Sequence, residues 1–581
     1  MPESVSVKVE TNLPARMRDG TVLYADVYRP DGPGPFPTIL QRTPYDKAGP
    51  LSPQALDPFK GAKAGYAVVI QDTRGRYTSE GEFNCFVDDI EDGYDTVEWA
   101  AAQPWSDGKI GMVGASYVGA TQWLAATTKP PHLVTIVPNV TASNYHNGWT
   151  YQGGAFELGF NVSWTLNILA LANFETIAGV KNVPQQRQQE LLRAVDGMTD
   201  AFLTVPLKEL PSLKDGVAPY YFDWLAHPSF DDYWKKLCIE DQHSNIASPA
   251  LHIGGWYDIF LGGTIRNFLG MRKSGATEEA RRGQKLIIGP WQHAARGTSV
   301  VGSHYFGTMA DSMAIGLDDI HFRWYDYWLK GNDNGIMNEP PVRIFVMGDN
   351  AWRDEQEWPL ARAQETKYFL HSAGKANSRH GDGSLSAQGP TEETPDVFLY
   401  NPADPVPTVG GALCCNPYFA SSGAFDQNEI ESRSDVLVYS TPPLERDVEV
   451  TGPVTVTLWA ATSANDTDFT AKLVDVCEDG CARNLTDGII RARYRDSMSD
   501  PTPIEPNKAY CYTIDLWATS NVFKAGHQIR LEISSSNFPR FDRNTNTGEL
   551  IAGDSELRPA LQTVLHNSQH ASHVTLPIVP R

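Results

Sequence analysis

The chain has 581 residues, with 48 basic and 70 acidic side chains that give a formal net charge of −22. A chain of this length is expected to form several domains, and its 41% hydrophobic and 20% charged residues are typical of an ordered globular protein. The acidic balance argues against nucleic acid and anionic membranes as partners, because both would repel the protein.

The start of the chain lacks the basic and apolar stretches of a secretory signal, and no apolar run long enough to span a membrane follows. We therefore expect a cytoplasmic protein. Seven cysteines are present, without the paired spacing of a zinc site. Free thiols are expected in a reducing cytosol, and a bridge between Cys477 and Cys481 is the alternative. No metal or other cofactor is predicted.

The first third of the sequence alternates short β-branched runs with helical stretches. Strands are predicted at residues 22–28, 38–41, 66–71, 109–113 and 133–138. Helices are predicted from Asp92 to Ala102 and directly after Ser116. This alternation predicts a parallel sheet with helices on both faces.

The pattern changes twice further along the chain. Residues 142–242 are rich in Trp, Phe and Leu without strand-like runs, which predicts a helical insertion, and strands resume at residues 250–256 and 285–290. Beyond residue 351, short runs that alternate with period two predict an all-β sandwich or jelly roll.

Four segments and three structural units follow from this pattern. Residues 1–143 and 242–351 are predicted to form an α/β domain, residues 144–241 a helical cap, and residues 352–581 the jelly roll. An insertion between strands of an open α/β sheet lies over the carboxyl ends of the strands, where such folds place their sites.

The segment Gly114-Ala-Ser116-Tyr117-Val-Gly119 lies between a predicted strand and a predicted helix. A nucleophilic serine on such a turn needs a residue without Cβ two positions before it, and a small residue nearby to let helix and strand approach. The second glycine follows the serine by three residues, where the common pattern has two. Ser116 is therefore a candidate nucleophile, and a serine that only caps the helix is the alternative.

A serine hydroxyl needs a base and an acid that orients the base, in the chain order Ser, Asp, His for this type of turn. Asp258 and His293 each follow an apolar strand in that order. The oxyanion of the intermediate needs donors, and the Tyr117 N–H at the helix start supplies one. Tyr45 follows the strand at residues 38–41, and its hydroxyl is the candidate second donor; a tyrosine that only covers the loop is the alternative.

Several longer motifs resemble a known family. They include Arg-Thr-Pro-Tyr-Asp-Lys at residues 42–47, Val-Ile-Gln-Asp-Thr-Arg-Gly-Arg at 69–76 and Ser-Glu-Gly-Glu-Phe at 79–83, and further motifs at 114–119, 255–258, 289–293, 468–473 and 535–539. Together they resemble the bacterial cocaine esterases, which are kin of the Xaa-Pro dipeptidyl-peptidases and α-amino acid ester hydrolases. The resemblance spans nearly the whole chain.

This resemblance implies an α/β-hydrolase domain with a helical cap and a jelly roll. It implies Ser116 as nucleophile, His293 as base, Asp258 as its orienting acid, and Tyr45 with the Tyr117 amide as oxyanion hole. The later position of the second glycine is normal for the family.

The resemblance also implies which side chains contact the substrate. Trp164 of the cap and Phe260 correspond to residues that line the acyl pocket in the family. An aromatic residue that the jelly roll contributes there is replaced in this chain near Cys415, which departs from a benzoyl-binding pocket. No acidic residue follows Ser116 through Gln122, so this segment does not support recognition of a free amino group.

The leading hypothesis is a serine hydrolase that cleaves a small-molecule ester through an acyl-enzyme. An amidase, an acylase or an Xaa-Pro peptidase with the same groups is the alternative. A third hypothesis makes the jelly roll a carbohydrate-binding or assembly module attached to an inactive hydrolase. A homodimer is expected only by analogy with the family.

Overall fold

A computed structural model describes residues 6–171, 174, 185–415 and 418–581. Two large sheets organise the described chain: a mixed sheet of ten strands and an all-β arrangement of eleven strands. Helices cover the ten-stranded sheet, and an inserted cap lies between two of its strands.

The strands of the ten-stranded sheet are, in chain order, Val7–Arg16, Val22–Pro30, Phe36–Thr43, Ala67–Asp72, Ser106–Ala115, Leu133–Asn139, Ala250–Tyr257, Gln284–Gln292, Val342–Val346 and Ala351–Glu355. Their order across the sheet is 1-2-4-3-5-6-7-8-9-10. Strands three to nine are parallel to one another. The first, second and tenth strands are antiparallel to their neighbours. The carboxyl ends of seven parallel strands therefore meet at one edge.

Three strands of this sheet are absent from the prediction: Val7–Arg16, Val342–Val346 and Ala351–Glu355. Val7–Arg16 is largely exposed, so it lacks the apolar alternation by which a half-buried strand is recognised. Ala351–Glu355 pairs with Val342–Val346 at the opposite edge. This last strand contains residue 352, at which the sequence-based division begins the jelly roll.

The helices outside the cap are Pro58–Lys63, Asp89–Ala101, Tyr117–Thr127, Leu261–Ser274, Glu278–Arg282 and Leu317–Trp328. Two of them, Asp89–Ala101 and Tyr117–Thr127, pack closely because Gly93 faces Ala125. A Cβ on Gly93 would lie 2.6 Å from the Ala125 Cβ, inside van der Waals contact. Single-turn 3₁₀ helices lie at Thr308–Ala310 and Ile336–Asn338 in this domain, and at Ile430–Ser432, Ala492–Tyr494 and Ile551–Gly553 in the C-terminal domain.

The cap is mainly helical, as predicted, but it begins with a short hairpin of Tyr151–Gln152 and Ala155–Phe156. Its described helices are Leu158–Ser163, the π-helix Trp164–Ala170, Gln185–Asp196, Met198–Leu203, Pro219–Ala226 and Asp232–Lys235, with 3₁₀ turns at Leu207–Glu209, Pro211–Leu213 and Glu240–Asn245. Large aromatic side chains fill its interior, and Trp164 and Trp224 stack with ring centroids 6.0 Å apart.

The C-terminal domain is all-β, as predicted. Its strands are Gln364–His371, Ser384–Ser386, Asp396–Tyr400, Leu437–Ser440, Val448–Thr462, Asp468–Val476, Ala482–Arg491, Tyr510–Phe523, Gln528–Ser534, Ala560–Leu565 and His573–Val579. The two longest, Val448–Thr462 and Tyr510–Phe523, pair antiparallel along most of their length. The inward-facing residues of these strands form the core of the domain.

Buried polar contacts join the cap to the C-terminal domain. Arg540, which is fully buried, donates to Asp487 at 2.5 Å within its own domain and to the cap residue Gln152 at 3.0 Å. Separation of the cap would remove the Gln152 acceptor from this buried guanidinium and leave the donor without a partner, which is costly. This contact helps to fix the position of the cap relative to the C-terminal domain. No helix of the described chain is long and apolar enough to cross a bilayer.

Acidification is expected to destabilise the protein through buried neutral histidines. Burial lowers the pKa of His146, His252 and His321 to about 4 in each case. An unfolded histidine binds its proton near pH 6.5, so between about pH 6.5 and 4 the unfolded chain holds more protons than the folded one. Their contribution to stability is complete above about pH 6.5 and is lost as the pH falls towards 4.

His321 isolates this effect, because neither ring nitrogen has a hydrogen-bond partner among the described residues. We expect the melting temperature of His321→Leu to fall less than that of the wild type between about pH 7.5 and pH 5. Differential scanning calorimetry of both proteins at the two pH values measures this difference. An equal drop in both would contradict the assignment of a neutral buried imidazole.

Candidate active site

Ser116 lies at the turn between the strand Ser106–Ala115 and the helix Tyr117–Thr127. Its backbone has φ 61° and ψ −124°, a conformation that non-glycine residues seldom adopt. Its N–H donates to the Asn139 carbonyl at 3.0 Å, and its own carbonyl accepts the N–H of Ala120 at 2.9 Å. The serine is thus held by backbone contacts at the start of the helix.

The two glycines of the motif make this turn sterically possible. A Cβ on Gly114, which has φ +149°, would overlap the Val118 side chain. A Cβ on Gly119 would lie 2.8 Å from the Thr141 Cβ and 3.1 Å from the Asn139 carbonyl oxygen. Gly114 therefore allows the chain to turn, and Gly119 allows the helix to approach the neighbouring strand.

Asp258 and His293 meet beyond the ends of their strands. The Asp258 Oδ1 and His293 Nδ1 atoms are 2.7 Å apart. Asp258 is fully buried, and the His293 side chain is 10% exposed. Since an ionised carboxylate can only accept, the imidazole carries its proton on Nδ1, which leaves Nε2 as the acceptor on the opposite side of the ring.

Tyr45 and Tyr117 lie beside Ser116. The Tyr45 hydroxyl accepts a hydrogen bond from Trp164 Nε1 at 3.1 Å. Burial raises the pKa of Tyr45 well above its ordinary value, while hydrogen bonds to Trp164 and Ser116 and the charge of Arg76 act in the opposite direction. The hydroxyl therefore keeps its proton and is available as a donor.

The Tyr117 N–H is at the first position of its helix, where the amide has no intrahelical acceptor. The side chain behind this amide is fixed. Its hydroxyl donates to Asp89 Oδ2 at 2.6 Å and accepts the Phe86 N–H at 2.8 Å. Asp89 in turn pairs with Arg42 at 3.1 Å, so a buried ion pair anchors the residue that follows Ser116.

A cavity of about 230 Å³ has Tyr45, Ser116 and His293 on its wall. The α/β domain contributes most of its wall, the cap contributes Trp164 and Ile168, and the C-terminal domain contributes Cys414 and Cys415. The full set of lining residues from the α/β domain is Gln41, Thr43, Tyr45, Leu51, Gln54, Ala55, Gly114, Ala115, Ser116, Val118, Val140, His293, Ala294 and Ala295. No carboxylate belongs to the described part of this wall.

The three residues predicted to contact substrate have different positions. Trp164 and Cys415 lie on the cavity wall. Phe260 is fully buried and is absent from the described wall; its ring stacks on Trp149 at 4.1 Å and meets the His293 ring edge-on at 5.1 Å. Phe260 therefore packs against the imidazole, and its predicted contact with the acyl group stays a prediction.

The expectation of free thiols is wrong for two of the seven cysteines, because Cys414 and Cys415 form a disulfide between adjacent residues. Cys477 and Cys481 are free thiols, as are Cys85, Cys238 and Cys511. Among the described residues, no group of histidine, cysteine and acidic side chains is arranged to hold a metal ion.

Comparison with known proteins gives matches over the whole chain. Residues 19–295 match the model of the S15 family, described as X-Pro dipeptidyl-peptidase, and residues 334–575 match the X-Pro dipeptidyl-peptidase C-terminal non-catalytic domain. Cocaine esterase from Rhodococcus sp. (strain MB1 Bresler) is 39% identical over 579 residues, which cover 99% of each chain.

Solved structures of other proteins share this fold over the length of the chain. An aminopeptidase from the marine sediment archaeon Thaumarchaeota archaeon superposes with a TM-score of 0.83, at 24% identity, over 100% of this chain and 97% of the other. An α-amino acid ester hydrolase superposes with a TM-score of 0.80, also at 24% identity and with the same coverage.

A serine on a strand-to-helix turn, followed along the chain by an aspartate and a histidine that meet at the same sheet edge, is the arrangement of an α/β-hydrolase. The cap and the all-β C-terminal domain complete that architecture here. The length and identity of the match to the Rhodococcus enzyme show that the chain belongs to the cocaine esterase family. Its first part matches the S15 family model, and its second part matches the model of the non-catalytic C-terminal domain.

Replacement of Gly114 by alanine is expected to destabilise the fold, because the added Cβ would lie 2.7 Å from the Val118 Cβ. Overpacking of this kind costs about 1–3 kcal/mol. Gly32→Ala is the matched control, since a Cβ at that position meets nothing within 4 Å. Thermal unfolding of both variants measures the difference, and equal melting temperatures would contradict the steric role of Gly114.

Proposed function

We propose that this protein is a serine carboxylesterase that hydrolyses esters through an acyl-enzyme and that the acyl group of its substrates carries no charge. The observation that carries the proposal is the 2.7 Å contact between Asp258 and His293, with His293 and Ser116 on the wall of the same cavity. The similarity to cocaine esterase over 99% of the chain supports the ester as the reacting bond.

In the first half of the reaction, His293 Nε2 removes the Ser116 hydroxyl proton as the serine oxygen attacks the ester carbonyl carbon. Asp258 keeps the imidazole in the correct tautomer and stabilises the imidazolium that forms. The carbonyl oxygen becomes negatively charged and accepts hydrogen bonds from the Tyr45 hydroxyl and the Tyr117 amide. The imidazolium then protonates the departing alcohol, which leaves the acyl group on Ser116.

In the second half, a water molecule takes the place of the alcohol. His293 removes a proton from the water as it attacks the acyl carbonyl, and the same two donors hold the second oxyanion. Collapse of this intermediate returns the proton to Ser116 and releases the carboxylic acid. Each step uses side chains of this protein, the Tyr117 amide and water.

The chemistry of the cavity wall supports a neutral acyl group. Its described residues include aliphatic and aromatic side chains such as Leu51, Val140, Trp164 and Ile168, and no carboxylate. A free ammonium group placed there would lose its hydration without gaining an ion pair, which is costly. The same argument disfavours the Xaa-Pro dipeptidyl-peptidase alternative, because such a substrate carries a free amino terminus.

Ser116→Ala is expected to reduce ester turnover by about 10⁵- to 10⁶-fold, since the covalent intermediate can no longer form. A fluorophosphonate probe, followed by peptide mapping, should place a single adduct on Ser116 in the wild type and none in the variant. Initial rates on nitrophenyl butyrate provide the kinetic measurement. Circular dichroism of both proteins controls for folding. Wild-type turnover retained by the variant, or an adduct on another residue, would refute the assignment of the nucleophile.

Matched substrates separate the esterase from the peptidase. We expect kcat/KM to decrease in the order nitrophenyl butyrate, butyryl nitroanilide, glycyl-prolyl nitroanilide, because the last brings a charged amine to a wall whose described residues include no carboxylate. Acetylation of the glycyl nitrogen should raise the rate on the peptide substrate by removing that charge. Faster hydrolysis of the free dipeptide than of the butyrate ester would identify the enzyme as a peptidase instead.

A further inference from the structure

Arg76 is buried close to the active site, yet the proposed reaction does not use it. It follows the strand Ala67–Asp72 in a tight turn, where its N–H donates to the Thr73 carbonyl at 3.1 Å. Only 1% of the residue is exposed. A guanidinium is always charged, and its burial is costly unless surrounding groups compensate the lost hydration.

The guanidinium connects the two segments that meet at the oxyanion site. Arg76 Nε donates to the carbonyl of Pro44 at 2.8 Å, and Pro44 directly precedes Tyr45. Arg76 Nη1 donates to the carbonyl of Leu169 at 3.0 Å, on the π-helix that carries Trp164. The Trp164 side chain also donates to the Tyr45 hydroxyl. Arg76 is therefore a second link between the Tyr45 loop and the π-helix, in addition to this hydrogen bond.

The charge of Arg76 is not neutralised by a described acid. The neighbouring Arg74 pairs with Asp19 at 2.7 Å and with Asp92 at 2.6 Å. In contrast, no ion pair within 4.0 Å in the described part of the chain includes Arg76. Its guanidinium lies instead over the Phe83 ring at 4.9 Å, a contact that tolerates a buried cation without cancelling its charge.

The field of this cation reaches the active site. Burial raises the pKa of Tyr45 and of Cys85, and in both cases the positive charge of Arg76 opposes the increase. A positive charge in a buried environment favours negative charge nearby more strongly than it would in water. An oxyanion bound to the Tyr45 hydroxyl is such a charge.

We propose that Arg76 is a positioning residue of the oxyanion hole, which fixes the Tyr45 loop against the cap and favours the oxyanion through its uncompensated charge. This inference rests on the proposed esterase function. Arg76 touches neither the substrate nor the reacting atoms in this view. It acts through Tyr45, and its effect therefore depends on the Tyr45 hydroxyl.

A double-mutant cycle tests that dependence. Arg76→Met keeps most of the side-chain volume and removes the charge, and Tyr45→Phe removes only the hydroxyl. We expect Arg76→Met to lower kcat on nitrophenyl butyrate by about tenfold to hundredfold, less than the loss of a direct oxyanion donor. KM should stay within about twofold. In the Tyr45→Phe background the same substitution should lower kcat by no more than about threefold.

Arg543→Met is the matched control. Arg543 is 6% exposed, donates to the carbonyls of Pro402 and Leu203 at 3.2 and 2.9 Å, and lies over the Phe538 ring at 5.0 Å. It therefore has the same type of environment as Arg76, but none of these three contact residues lines the cavity. We expect its removal to lower the melting temperature while kcat stays within about twofold of the wild type.

The inference is overturned if Arg76→Met and Arg543→Met change kcat equally, or if the Arg76 effect has the same size with and without the Tyr45 hydroxyl. Should Arg76→Met fail to fold, Arg76→Lys serves in the same cycle, because it keeps the charge but not the planar pair of donors. A wild type without esterase activity refutes the proposed function itself. A wild type with Ser116-dependent activity and an additive cycle refutes only the role of Arg76.

Discussion

The backbone conformation of Ser116 is the constraint around which the site is built. At φ 61° between a strand and a helix, the direction of the Ser116 Cα–Cβ bond is set by the main chain. The conformation is sterically possible only because Gly114 and Gly119 leave room for Val118 and for the strand that ends at Asn139. Close packing of the helix and the neighbouring strand thus maintains the unfavourable backbone conformation of Ser116.

The groups around Ser116 come from elements that the parallel sheet brings to one edge. Asp258 and His293 follow adjacent strands, and the strand Phe36–Thr43 leads into the loop of Tyr45. The cap then holds this loop through the Trp164 contact, and a buried ion pair anchors Tyr117 from below. The proposed catalytic residues at the sheet edge are therefore positioned by side chains of the cap and of the buried ion pair, which take no direct part in the proposed chemistry.

The sequence alone was sufficient to predict those residues whose proposed role follows from their position at the end of a strand. The nucleophile turn and the chain order of Ser116, Asp258 and His293 are readable because parallel strands end at a common edge, and the structure brings the latter two together; their catalytic roles stay a prediction. Contacts between distant segments were not readable. The Tyr45 to Trp164 hydrogen bond spans 119 residues, and the position of Phe260 behind His293 depends on how Trp149 packs. No local pattern records either.

The cavity wall has a consequence for how the family diversifies. Ile168 and the Cys414–Cys415 pair belong to the cap and the C-terminal domain, on chain segments that carry none of the proposed proton-transfer groups. Substitutions or changes of loop length in these segments can reshape the space above Ser116 without moving the sheet edge below it. Relatives with one fold can thus come to act on different substrates through changes in the cap and C-terminal segments that line the cavity. The residues at the carboxyl edge of the sheet need not change.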